Sequence, residues 1–90
     1  MLEKELEQKL VQAIKKQGGL CWKLTSPGTA GVPDRLVLLT MGRIAFVEVK
    51  RPGEKLRPIQ ERRKAQLEEL GFKVFVLDDI TKIGEIINGI

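Results

Sequence analysis

Along the first seventeen residues apolar side chains recur at three- and four-residue steps. Leu2, Leu6, Leu10, Ala13 and Ile14 form one stripe, which predicts an amphipathic helix over residues 2–17. Gly18 and Gly19 follow it and supply the left-handed turn that closes helices. The period then changes. "LCWKLT" alternates, with Cys21, Lys23 and Thr25 on one face of a short strand and Trp22 and Leu24 on the other. "SPGTAGVP" is a loop by its proline and glycine content. "DRLVLLT" and "RIAFVEVK" are two further strands joined by a tight turn at Met41-Gly42, hence an antiparallel hairpin. After the loop "RPGEKLR", Pro58 suits the first turn of a second helix that runs to Leu70 and stops at Gly71. "FKVFVLD" is a fourth strand, and Asp78 or Asp79 can cap a last helix whose stripe is Ile80, Ile83, Ile86 and Ile87.

The order helix, three strands, helix, strand, helix predicts an α/β (α+β) fold. The strand after the second helix should return parallel to the hairpin through a right-handed crossover, giving a mixed sheet flanked by helices. No repeat, linker or low-complexity tract interrupts the chain, so residues 1–90 read as one domain. A chain this short hides only roughly 60–65% of its unfolded surface, so its core is modest and self-association would help.

One strand breaks its own pattern. In "IAFVEVK", Ile44, Phe46, Glu48 and Lys50 sit two apart and share a face. Ile44 and Phe46 mark that face as core, yet it ends in a carboxylate and an ammonium group. Asp34 starts the first hairpin arm, and the start of one antiparallel arm lies beside the end of the other, so Asp34 should meet the Glu48–Lys50 segment. Two carboxylates about 5 Å apart repel by roughly 3 kcal/mol at an effective dielectric near 20. A surface ion pair returns at most about 1 kcal/mol, which is a weak structural reason for the cluster. A divalent cation resolves the repulsion, and an all-oxygen donor set suits Mg²⁺ or Mn²⁺. With a lysine beside it to orient the attacking water, such a site has the parts to hydrolyse a phosphodiester.

Composition removes the main alternatives. The chain has no histidine and no tyrosine, which excludes Ser-His-Asp, Cys-His and histidine-ligated metal mechanisms. Its single cysteine, Cys21, allows neither an internal disulfide nor a cysteine-cage zinc site, and reads as a small buried hydrophobe in a reducing compartment. No apolar run approaches the roughly 20 residues of a membrane span, and no signal peptide opens the sequence. The net charge is +4, but residues 50–64 hold seven basic residues against two acidic ones, or +5 in that window alone. A loop and helix start this basic, beside the odd strand, point to a polyanion such as nucleic acid.

Gly31-Val32-Pro33-Asp34, then Phe46-Val47-Glu48-Val49-Lys50, then Pro58 with Gln60 resemble the signature of the PD-(D/E)xK nucleases, most closely the stand-alone viral members of the VRR-NUC family. The resemblance spans nearly the whole chain. It implies a restriction-endonuclease-like fold and Mg²⁺- or Mn²⁺-dependent cleavage, with branched DNA, including four-way (Holliday) junctions, as substrate of a homodimer. It implies no small-molecule cofactor, and it places the protein in the cytoplasm of a virus-infected bacterial host. By the same resemblance Asp34 and Glu48 bind metal with the main-chain carbonyl of Val49, Lys50 positions the water, and Gln60 supports the site. The family also uses a helix-one glutamate as an extra ligand. Glu5 points away from the stripe, Glu3 and Glu7 flank it, and the distance to the closing glycine in related resolvases favours Glu7.

The helical wheel places Gln60 inward, beside Leu67, in agreement with a supporting role, with a satisfied core amide as the alternative. Arg63 falls among Ile59, Leu67 and Leu70, able to reach back toward a phosphate or to run along the core edge. Lys23, Ser26, Arg51, Lys55, Arg57 and Arg63 are the candidate DNA contacts. Two other functions fit the same residues: a non-catalytic nucleic-acid binder of this fold, and a nuclease for flaps or duplex ends.

Overall fold

The computed structural model describes residues 1–90. Helix α1 (Glu3–Lys16) leads into strands β1 (Leu20–Lys23), β2 (Arg35–Leu39) and β3 (Arg43–Val49). Helix α2 (Pro58–Glu69), strand β4 (Lys73–Leu77) and helix α3 (Lys82–Gly89) follow. The strands lie side by side in chain order, with β1–β2 and β2–β3 antiparallel and β3–β4 parallel. This is the predicted mixed sheet, with α2 as its crossover. The hairpin turn falls where the sequence placed it, and Met41 and Gly42 both adopt positive φ (66° and 71°), as a tight turn between twisted strands demands.

Which face of the sheet is core differs from the expectation. Ala45, Val47 and Val49 are at most 1% exposed, whereas Ile44 and Phe46 are only half-buried. The reason is coverage. The Val47 face takes Leu6, Leu10 and Ile14 of α1 and Ile83 and Ile86 of α3, while the Phe46 face has α2 alone, lying toward β4. Burying each such aliphatic side chain contributes about 1.5–3 kcal/mol, so the doubly covered face dominates stability. Glu48 therefore sits on the thinner side, where a carboxylate can be buried and still be reached.

Two ends also differ. Leu2 stands before α1 and is exposed, so the stripe that packs is Leu6, Leu10 and Ile14. Asp79 does not cap α3. Its Oδ1 accepts from Thr81 N–H and O–H at 2.9 and 2.8 Å, closing a turn ahead of the helix and leaving Ile80 exposed. Cys21 packs against the core edge, and burial pushes its thiol up, away from reactive thiolate character.

Candidate active site

The hairpin register builds the site. Arg35 pairs with Val47, so Asp34 lies one step further along, opposite Glu48. Leu24 N–H donates to Asp34 O at 2.8 Å, extending the β1–β2 ladder to this row, and Val49 N–H donates to Asp34 Oδ2 at 2.8 Å. Asp34 is thus pinned by backbone on both sides. Gln60, one turn into α2, is buried; its Nε2 donates to Glu48 Oε1 at 3.4 Å and its Oε1 accepts Arg57 N–H at 2.9 Å. The second bond is one half of a capping box, so the residue that starts the helix also touches the carboxylate.

Gly31 sets the approach of α2. It holds φ +79°, and a Cβ there would lie 2.6 Å from Ile59 O. Only glycine lets the loop before Pro33-Asp34 lie against the backbone preceding Gln60. Arg63 reinforces this junction, since its Nε donates to Ala30 O at 2.8 Å and its Nη1 to Gln66 at 2.9 Å. It reaches the loop, rather than the carboxylates.

Electrostatics mark the same group. Burial first, and then the hydrogen bond and charge of Asp34, push the Glu48 carboxyl up to about 8, against the downward pull of Lys50; Glu3 adds to the push. Glu48 and Lys50 are only 5% and 7% exposed, so both charges are held out of water. Lys50 Nζ is turned to Glu54 Oε1, 3.4 Å away, and Arg51 reaches the other Glu54 oxygen at 3.3 Å. The sequence reading missed Glu54, although its position four residues after Lys50 in a one-turn loop was the available signal.

Glu7 was expected beside the metal, but Arg35 engages it at 3.1 Å, in a part-buried ion pair that also anchors Arg35 to Cys21 O. Arg35 faces α1 because it alternates with Asp34. Of the helix-one carboxylates, Glu3 is the one whose charge reaches Glu48. Arg51, Lys55 and Arg57 are exposed on the loop and helix start next to the site. Lys23 and Ser26 are exposed on the far side of Asp34, at the end of β1 and in the following loop.

The buried Glu48 carboxyl, holding a proton beside the half-buried Asp34, offers what a hard divalent cation displaces. No group of three or more His, Cys, Asp or Glu side chains converges anywhere in the chain. The donor set therefore fits an ion that keeps water and phosphate among its ligands, as Mg²⁺ does, and not a fully protein-caged metal.

A carboxylate pair and a lysine on adjacent ends of a mixed sheet, steadied by a glutamine from the crossover helix, define a nuclease domain of the PD-(D/E)xK class. The VRR-NUC domain matches residues 1–78, and the chain belongs to that family. The chain is 49% identical over 88 residues to the "Putative nuclease p44" of Acyrthosiphon pisum secondary endosymbiont phage 1, covering 96% of this chain and 95% of that protein. It also superposes on a solved VRR_NUC domain with a TM-score of 0.90 at 33% identity, over 96% of this chain and 94% of the other. No helix is long and apolar enough to cross a membrane.

Proposed function

We propose that the protein is a divalent-metal-dependent, structure-specific endonuclease that hydrolyses phosphodiesters in branched DNA, four-way junctions above all, as a homodimer in the cytoplasm of an infected bacterial host. The observation that carries this reading is Asp34 lying opposite the buried Glu48, beside buried Lys50 and next to a basic loop.

Asp34, Glu48 and the main-chain carbonyl of Val49 would hold Mg²⁺ or Mn²⁺, with Glu3 better placed than Glu7 to assist. When bound, the ion supplies charge neutralisation at the scissile phosphate and acidifies a water. The chain's own residues do the rest. Gln60 orients Glu48 through its amide. Lys50, released from Glu54 as phosphate charge arrives, hydrogen-bonds the incoming water and the developing negative charge. The exposed guanidinium and ammonium groups of Arg51, Lys55 and Arg57 take the flanking phosphates, with Lys23 and Ser26 on the loop side, while Arg63 holds the loop to α2. Symmetric nicks across a junction need two such sites related by a two-fold axis, which motivates the dimer.

The test is incubation of the purified protein with end-labelled four-way junction and matched linear duplex, in Mg²⁺, Mn²⁺ or EDTA, beside Glu48→Ala. Paired, metal-dependent nicks confined to the junction and lost in Glu48→Ala are expected. Cleavage of flaps or duplex ends instead would change the substrate. Binding without cutting in either metal would leave a non-catalytic binder.

A further inference from the structure

The loop that follows Lys50 folds back on it. Arg51-Pro52-Gly53-Glu54 has the residues and the hydrogen bond of a type II turn. Proline stands second, Gly53 stands third at φ +82°, and Glu54 N–H donates to Arg51 O at 3.0 Å. The turn brings one carboxylate over two cations. Glu54 Oε1 lies 3.4 Å from Lys50 Nζ, and Oε2 lies 3.3 Å from both Nε and Nη2 of Arg51. Against the upward push of desolvation, the hydrogen bonds and charges of Lys50 and Arg51 hold the Glu54 carboxyl below its usual range.

Stability is a weak reason for this arrangement, because an ion pair whose acid is 35% exposed contributes little. The choice of partner is more telling. Glu61, the other acid of the basic stretch, is exposed and forms no ion pair. Glu54 engages the one cation that the active site holds out of water, and it is the only carboxylate that Lys50 pairs with. Its two oxygens divide between a buried ammonium and an exposed guanidinium. A phosphodiester presents two non-bridging oxygens on one phosphorus, much as a carboxylate presents two on one carbon, and forks of this kind are what such cations bind. A backbone phosphate entering from solvent would meet Arg51 first and Lys50 behind it.

We propose that Glu54 is a substrate-mimicking latch. In the free protein its carboxylate fills, between Lys50 and Arg51, the place of one DNA backbone phosphodiester, and it withholds Lys50 until DNA displaces it. The latch presupposes the nuclease reading above and adds a regulation of that same site. Displacement exchanges one anion for another on the same two cations. The released carboxylate then faces water and gathers a cation from solution, which offsets part of the counterion release that favours binding.

The test is the affinity of the full chain for a fluorescent four-way junction in EDTA, by anisotropy across a salt series, for wild type, Glu54→Gln and Glu61→Gln. Glu54→Gln removes the competing anion and frees both cations, so binding should tighten about fivefold. Its slope of log affinity against log salt should steepen by up to about 0.9, because no displaced carboxylate takes a cation back. Glu54→Ala should act in the same direction. Glu61→Gln makes the same change in net charge without touching the latch, and should tighten binding by less than about twofold. In Mn²⁺, bis(4-nitrophenyl) phosphate, a small diester too weak to displace the latch, should be hydrolysed faster by Glu54→Gln than by wild type. Unchanged affinity and slope in Glu54→Gln, or a gain no larger than that of Glu61→Gln, would overturn the proposal. So would weaker binding together with slower hydrolysis, which would make Glu54 a support for Lys50. Those outcomes leave the nuclease reading standing, whereas a wild type that binds no DNA would remove both.

Discussion

Gln60 joins two parts of the protein that the chain separates by twelve residues: its Nε2 donates to Glu48 Oε1 while its Oε1 accepts the N–H of Arg57. One amide therefore both starts α2 and aims the carboxylate. Gln60→Ala removes both bonds, costing about 1 kcal/mol as a lost cap. It should also reduce cleavage or metal affinity by roughly 10–100-fold, as loss of a ligand's supporting partner does. Gln60→Glu separates the roles, because it keeps the acceptor for Arg57 and loses the donor to Glu48. Gln60→Glu should be at least as impaired in cleavage as Gln60→Ala, and the third carboxyl it buries beside Asp34 and Glu48 should lower its melting temperature in EDTA. A fully active Gln60→Glu would remove the orienting role.

Glu48 makes stability depend on pH in an unusual direction. Its folded-state carboxyl is raised to about 8 from the ordinary 4.5, first by burial and then by Asp34. The folded state thus holds a proton that the unfolded state releases. The contribution is fully present below pH 4.5 and is lost as pH rises through about 8, at a slope of about 1.4 kcal/mol per unit at most. Melting temperature in EDTA should therefore fall between neutral pH and pH 9. Glu48→Gln, which mimics the protonated form, should flatten that fall and melt above wild type at pH 9 while losing cleavage. Metal should bind wild type more tightly as pH rises through the same window, since it displaces that proton.

The two helix-one glutamates should part company. Glu7 is committed to Arg35, so Glu7→Gln should cost about 1–2 kcal/mol of stability and leave the Mn²⁺ affinity near wild type. Glu3→Gln should show the reverse, a weaker Mn²⁺ isotherm at unchanged melting temperature, because its charge bears on Glu48. Equal loss of metal affinity in both variants would restore Glu7 to the site.

Much of this geometry was legible in the residue pattern, and the exceptions share a cause. Hairpin register is local, so counting back from Met41-Gly42 was enough to bring Asp34 to Glu48. Helical phase alone turned Gln60 inward. What the pattern could not supply was coverage: Ile44 and Phe46 look as apolar as Val47 and Val49, and only the docking of α1 and α3 decides which set becomes core. The partner of Glu7 was hidden for a similar reason. Its phase along α1 is right for facing the sheet, but which strand residue meets it depends on tertiary placement, and Arg35 lies there. Lys50 and Glu54 are close in sequence, yet the pairing depends on the turn at Gly53, whose φ of +82° bends the loop back.

Gly31→Ala should be disproportionately damaging for so small a change. The new methyl would meet Ile59 O at 2.6 Å in a backbone conformation that L-residues resist. A cost of about 2–3 kcal/mol is expected from strain and displacement together. Since Ile59 precedes Gln60, the displaced backbone should also move the amide from Glu48. Denaturant melts and cleavage rates should therefore fall together. A destabilised variant with full activity would show that α2 tolerates the shift and that Gln60 is held by other means.

The basic residues should separate into those that meet phosphate and those that hold the fold. Lys55 and Arg57 are exposed and carry no side-chain ion pair, so each is free for a backbone phosphate. Replacing both with glutamine should weaken junction binding and flatten its dependence on log salt by about 0.9 per lost contact. Cleavage at saturating protein should change little, because neither group touches Glu48 or Lys50. Arg63 is spent differently: its bond to Ala30 O ties the Gly31 loop to α2. Arg63→Gln should lower the melting temperature and leave the salt slope unchanged. If its slope falls by one contact while stability holds, Arg63 leaves the loop to take a phosphate when DNA binds. Fluorescence anisotropy titrations across a salt series, run beside thermal melts of the same variants, distinguish the two outcomes.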